Sequence, residues 1–133
     1  MVGVVVATHG RLAEEMIRTA EAVVGRIEQV RAVSVNAAVA DMRGELKEAI
    51  RAMDSGEGVL LLTDLLGGSP TNLCLSFTGE RKVEVVTGVN LPMLLKLTGL
   101  RAAGKPIVQL ASELAEAGRR SIGHASQLLR SHG

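Results

Sequence analysis

The stretch VVATHGRLAEEM, residues 5–16, joins an apolar run to an amphipathic segment. The run VGVVVA, residues 2–7, is rich in β-branched side chains, which is typical of a strand buried on both faces of a parallel sheet. Apolar residues then recur every three or four positions, and this spacing predicts a helix over 12–24 that ends near Gly25. His9 therefore lies where the chain is predicted to pass from a strand into a helix.

The same alternation of strand and helix continues along the chain. Further strands are predicted at 29–35, 59–64 and 82–88, and helices at 39–53, 70–77, 91–100 and, as a long last helix, from Pro106 onward. Gly118 and Gly123 leave the continuity of this last helix open. A short extra strand near 106–110 or at the C-terminus is an alternative. This order predicts one α/β domain over residues 1–133. Its doubly wound, mainly parallel four-stranded sheet would have the strand order 2-1-3-4 and helices on both faces.

Composition excludes several classes of function. Phe77 is the only aromatic residue, so the aromatic platforms of base-stacking nucleic-acid modules are missing. The formal net charge is +1 and the basic residues are scattered, which argues against a phosphate-backbone footprint. One cysteine, Cys74, cannot make a disulfide framework, and no signal peptide or membrane-spanning run is present. We therefore expect a cytoplasmic protein that does not insert into the membrane.

Candidate site residues follow from the predicted strand order. In open α/β sheets, ligands bind beyond the carboxyl ends of the strands where the order reverses, here between strands 1 and 3. Those ends carry Thr8 and His9 on one strand and Thr63 and Asp64 on the other. A carboxylate can accept a hydrogen bond from one imidazole nitrogen and leave the other free to attack.

The neighbouring residues suit a phosphoryl group. Gly67 and Gly68 let the backbone approach closely, and Ser69 is predicted to cap a helix whose free N–H groups favour anions. Gly10 opens the first helix in the same way, and the hydroxyls of Thr8 and Thr63 are candidate donors to phosphate. His9 and Asp64 are only two potential ligands, so we expect neither a metal nor another cofactor.

Simpler interpretations remain open for most of these residues. His9 and Asp64 can be turn or capping residues, and Gly-Gly-Ser-Pro is common turn chemistry in any protein. Thr8 and Thr63 can be plain strand residues. Three further residues are expected to be structural or solvated rather than functional: Cys74, His124 and His132.

Three segments, VVATHGRLA, LLLTDLLGGSPTN and VVTGVNLPMLL, occur in register and carry a resemblance from the first strand to about Leu100. Together they resemble the IIA domain of the mannose family of the bacterial phosphoenolpyruvate-dependent sugar phosphotransferase system (PTS). Leu65 and Leu66 depart from this pattern, because some members carry an aromatic residue before the two glycines. The rim that faces a partner is therefore expected to differ.

The resemblance implies a phosphotransferase component that forms a phosphohistidine. Such a domain accepts phosphate from the phosphocarrier HPr and passes it to a IIB component during sugar uptake. The family's active histidine matches His9, its histidine-pairing aspartate matches Asp64, and the serine of its GGSP loop matches Ser69. Members are homodimers, so a homodimer is implied here.

Other functions remain as alternatives. A IIA-type regulator would also be phosphorylated on His9, but would contact a kinase or transcription factor instead of a transporter. A histidine phosphatase needs an arginine directly before the histidine, where this chain has Thr8. A receiver domain needs an acidic pair at the end of strand 1, which is also absent from that position.

Overall fold

The computed structural model describes residues 1–35, 39–65, 68–79 and 82–132. At residues 39–40, 68–70 and 132 it describes the backbone alone. Its strands are β1 (Gly3–Thr8), β2 (Val30–Ser34), β3 (Val59–Thr63) and β4 (Val83–Val86). Its helices are α1 (Leu12–Val24), α2 (Val39–Met53), α3 (Gly68–Leu75), α4 (Leu91–Ala102), α5 (Ile107–Arg120) and α6 (Ala125–His132).

The four strands form one parallel sheet in the order β2-β1-β3-β4. The centre of the sheet pairs Val4 of β1 with Val30 on one side and with Leu60 on the other. The predicted strand order is therefore confirmed. The topology reverses between β1 and β3, the point at which the sequence predicts a ligand site.

Both faces of the sheet are covered, which explains the uninterrupted apolar runs of β1 and β3. Val4, Val6 and Leu62 pack in one core with residues of α1, α4 and α5. Val5 and Leu61, which alternate with them, pack in a second core with residues of α2 and α3. Successive side chains of a strand point to opposite faces, so a two-sided core needs apolar residues at every position. The predicted doubly wound α/β fold is confirmed.

The apolar stripe of α1 is only partly buried. Ala13 and Ala20 are buried in the core, but Leu12, Val23 and Val24 are exposed. The spacing of apolar residues therefore predicts the helix and its central contact face correctly. The apolar residues at the two ends of the helix are exposed instead of packed in the core.

The predicted long last helix is interrupted in the structure. α5 ends at Arg120 and α6 begins only at Ala125. Between them, the Ser121 hydroxyl donates to the Gly118 carbonyl (2.7 Å), and the Ile122 N–H donates to the Arg119 carbonyl (3.3 Å). These three-residue bonds tighten the helix end and replace the regular pattern.

Two smaller differences concern strands and helix starts. The region 106–110 begins helix α5, and the described residues contain no fifth strand. α3 begins at Gly68 rather than at Pro70, so Ser69 lies in its first turn and not at the predicted cap position. The predicted cap of α4 is confirmed, because Asn90 Oδ1 accepts from the Met93 N–H (3.2 Å). No helix in the described part of the chain is long and apolar enough to cross a bilayer.

Candidate active site

His9 and Asp64 lie side by side at the carboxyl edge of the sheet. Ala7 of β1 is in register with Thr63 of β3, so the two strands end at nearly the same level of the sheet. His9 directly follows β1, and Asp64 directly follows β3. The sequence therefore predicts correctly that these two residues meet where the strand order reverses.

One carboxylate oxygen holds both the backbone and the ring of the histidine. Asp64 Oδ2 accepts from the His9 N–H at 2.9 Å and lies 2.9 Å from His9 Nδ1. Because an ionised carboxylate only accepts hydrogen bonds, the tautomer that suits this contact carries its proton on Nδ1. Nε2 then keeps its lone pair on the side of the ring away from Asp64.

The two partners differ in exposure. The His9 side chain is 52 % exposed, whereas that of Asp64 is 14 % exposed. The carboxylate is therefore largely covered, whereas the imidazole is accessible to solvent. A half-exposed, oriented imidazole is suited to nucleophilic chemistry.

The environment keeps Asp64 ionised. Burial by itself would raise the pKa of this carboxyl, but the hydrogen bonds from the His9 backbone and ring, together with the attraction of the ring, outweigh it. The resulting pKa lies below the usual value of 3.8. Asp64 is thus an acceptor at neutral pH, and its negative charge favours positive charge that develops on the imidazole.

A tight turn connects His9 to α1. Gly10 has a positive φ of 56°, a conformation that residues with a Cβ rarely adopt. The His9 carbonyl accepts from the Leu12 N–H (3.5 Å), which closes the turn. Gly10 therefore has a structural reason to stand directly after the histidine.

The structure gives both candidate threonines buried positions. The Thr8 hydroxyl accepts from the Ala13 N–H at 2.7 Å and so satisfies the first turn of α1. Thr63 is 1 % exposed, and its Oγ1 has no hydrogen-bond partner among the described residues. As placed, neither hydroxyl is presented at the surface beside His9, so the predicted phosphate contact from Thr8 or Thr63 gains no support.

The GGSP segment brings the start of α3 close behind Asp64. Gly68 and Ser69 form the first turn of this helix, while Gly67 and the Ser69 side chain lie outside the described residues. Thr71, which the sequence analysis missed, donates its hydroxyl to the Leu65 carbonyl at 2.7 Å and anchors the loop after Asp64. A threonine eight residues after a strand end is too common a feature to signal this role.

The turn after β4 reaches the same edge. The Val89 N–H donates to the Thr63 carbonyl at 2.9 Å, which extends the hydrogen bonding of β3 beyond β4. The GVN segment of the sequence therefore helps to hold the residue directly before Asp64. Its Asn90 also donates to the Gly118 carbonyl at 3.2 Å and so connects this turn to α5.

Comparison with known proteins agrees with this fold. The family model for the PTS system fructose IIA component, named EIIA-man, matches residues 3–113. The PTS system mannose-specific EIIAB component of Escherichia coli K12 is 32 % identical over 124 residues, 91 % of this chain and 38 % of that protein. The chain thus spans less than half the length of that relative.

Two further proteins match over most of their length. The PTS system fructose-specific EIIA component of Bacillus subtilis is 27 % identical over 104 residues, 76 % of this chain and 71 % of that protein. The phosphotransferase system component EIIA from Streptococcus agalactiae has the same fold, with a TM-score of 0.86 over 96 % of this chain and 99 % of that one, at 24 % identity. The chain belongs to the mannose/fructose IIA family of the phosphotransferase system.

Proposed function

We propose that this chain carries phosphate within the phosphotransferase system, with His9 as the residue that is transiently phosphorylated. Phospho-HPr would be the donor and a IIB component the acceptor, in the service of sugar uptake. Membership of the IIA family supports the general role of a phosphoryl-transfer component. The observation that carries the specific assignment is the contact of Asp64 Oδ2 with both the backbone and Nδ1 of His9.

The proposed transfer uses Nε2 as the nucleophile. Its lone pair attacks the phosphorus of phospho-HPr, and the bond between phosphorus and the donor nitrogen breaks as the new bond to Nε2 forms. The electron pair of the broken bond remains on the donor nitrogen. The Nδ1 proton stays in its hydrogen bond to Asp64, which stabilises the positive charge that develops on the ring.

The second transfer is the same step with the roles exchanged. A nucleophile of the IIB component attacks the phosphorus on His9, and Nε2 leaves with the bonding electrons. Asp64 keeps the ring in one orientation throughout, so His9 is ready for the next cycle. The backbone N–H groups at the start of α3, including Gly68 and Ser69, are proposed to face the phosphoryl oxygens, as is the turn at Gly10.

The proposal also includes a cellular location and an oligomeric state for the chain. A component that exchanges phosphate with HPr would act in the cytoplasm as one IIA domain. We also propose a homodimer, which the exposed apolar residues Ile122, Leu128 and Leu129 support, because a second copy could cover them. Phosphoryl transfer is preferred to phosphatase or receiver activity because the family is that of PTS IIA components.

The test is phosphorylation with phosphoenolpyruvate, enzyme I and HPr, followed by site mapping with mass spectrometry. One acid-labile phosphoryl group is expected on His9, and none on a His9→Gln variant. His124→Gln is the matched control, because His124 is an exposed histidine far along the chain, beside Gln127. Labelling of His9→Gln to the wild-type extent would overturn the assignment.

Addition of a IIB protein separates transport from regulation. Loss of the label from His9 together with its appearance on IIB supports the uptake role. A label that stays on His9 in the presence of IIB proteins would instead favour a phosphorylation-state regulator.

A further inference from the structure

We propose that Arg11 binds the phosphoryl group once His9 carries it, and so sets how strongly this protein retains phosphate. This inference rests on the proposed function of His9 and adds to it a residue that the family motif does not assign. Three observations carry it: the turn that holds both residues, the weak present partners of Arg11, and the charge of the surrounding site.

Arg11 and His9 belong to the same four-residue turn, which runs from His9 to Leu12. The bond from the Leu12 N–H to the His9 carbonyl (3.5 Å) closes this turn, and Gly10 takes its positive φ within it. Arg11 lies two residues after His9, so their Cα atoms are at most about 7 Å apart. A long arginine side chain from the third position can therefore reach a group attached to the ring at the first position.

The present partners of Arg11 hold it loosely. Its Nε lies 3.6 Å from Glu14 Oε2, and its Nη2 lies 4.0 Å from Glu15 Oε1. Both distances exceed the roughly 2.7–2.9 Å of a charge-assisted hydrogen bond. The Arg11 side chain is 77 % exposed, so each pair contributes little to stability and can be exchanged.

The charge of the site creates a need for a cation. Asp64 contacts the ring, and the first turn of α1 adds Glu14 and Glu15. The residues predicted to hold phosphate, at 8–10, 63–64 and 67–69, include no lysine or arginine. A phosphoryl group would bring further negative charge, and the planar guanidinium of Arg11 can donate to two of its oxygens at once.

The experiment measures the equilibrium between this protein and HPr. Wild type, Arg11→Gln and Arg11→Lys are each incubated with HPr and phospho-HPr, and the phosphorylated fraction is read by intact-mass spectrometry from both directions of transfer. Arg11→Gln is expected to lower the equilibrium constant for phosphate retention about threefold to tenfold. Arg11→Lys should restore part of the loss, and the difference should shrink in about 1 M salt.

Arg18→Gln is the matched control. Arg18 is an exposed arginine on α1 and pairs with Glu15 at 3.2 Å, but it lies about two helical turns beyond Arg11 and so farther from His9 along the chain. This variant should keep the wild-type equilibrium. Glu14→Gln should raise phosphate retention, because it removes both a competitor for Arg11 and a repelling charge.

Several outcomes would overturn the inference. An unchanged equilibrium constant in Arg11→Gln, or an equal loss in Arg18→Gln, contradicts a specific contact. A slower approach to an unchanged equilibrium would assign Arg11 to the docking of HPr instead. These results differ from failure of the proposed function, in which wild type itself acquires no phosphate on His9.

Discussion

A single carboxylate oxygen orients both the backbone and the ring of His9. Asp64 Oδ2 fixes the backbone and the ring together, so the histidine has one supported orientation and one nitrogen directed away from the support. The position of this pair could be predicted from sequence, because both residues follow strands that are neighbours in the sheet. The double contact could not, since it depends on the rotamers of two side chains that no sequence pattern specifies.

Asp64→Asn should lose stability in a pH-dependent way. The hydrogen bonds of His9 lower the pKa of Asp64, so its contribution is fully present above its unfolded value of 3.8 and disappears as the pH falls through the lower folded value. We expect the wild type to have the higher free energy of unfolding at neutral pH, and the difference to narrow in acid. Urea denaturation of both proteins from about pH 7 to about pH 3 measures it. A difference that stays constant over this range would contradict the account.

At the scale of elements, the start of α1 depends on a buried hydroxyl rather than on an ordinary cap residue. The residue before the helix, Arg11, makes no side-chain cap bond, and Thr8 satisfies the Ala13 N–H from the end of β1. The sequence predicts the helix from its apolar spacing, but the capping bond spans five residues and crosses a turn. Propensity and local patterns do not anticipate such a bond, so the role of Thr8 emerges only from the structure.

Replacement of Thr8 by valine should therefore destabilise the protein. Valine keeps the size of the side chain but leaves the Ala13 N–H without its acceptor, at a cost of about 1–2 kcal/mol. Thr8→Ser retains the hydroxyl and is expected to lose less. Chemical denaturation of the two variants compares them directly, and equal stability of Thr8→Val and wild type would argue against the cap.

At the scale of the whole molecule, the sheet and the burial of its two faces are the features most readily predicted from sequence. Buried parallel strands need apolar residues at every position, and this requirement makes β1 and β3 visible as continuous runs. The C-terminal region is the counterexample. Its helical spacing continues across residues 121–124, where local bonds of Ser121 and Ile122 end α5. Apolar periodicity shows which face a helix would bury, but it does not show that the helix is continuous.

Close packing of β1 against the end of α2 gives a prediction for the whole fold. A Cβ at Gly3 would overlap the backbone carbonyl of Met53, so Gly3→Ala must displace one of the two elements. We expect a clear loss of stability, of about 2 kcal/mol or more. Gly44→Ala is the matched control, because Gly44 lies on the exposed face of α2 with open space around it, and alanine there should stabilise the helix by about 0.5–1 kcal/mol. Thermal unfolding distinguishes the two, and equal effects would contradict the packing.

The contact of Asp64 with Nδ1 of His9 is proposed to direct phosphorylation to the other ring nitrogen, Nε2. The most direct measurement is NMR of the phosphorylated protein with ¹⁵N-labelled histidine, in which coupling to phosphorus identifies the bonded nitrogen. We expect phosphorus on Nε2 of His9, with a proton on Nδ1 that remains hydrogen-bonded to Asp64. Phosphorus on Nδ1, or on His124 or His132 in place of His9, would contradict it.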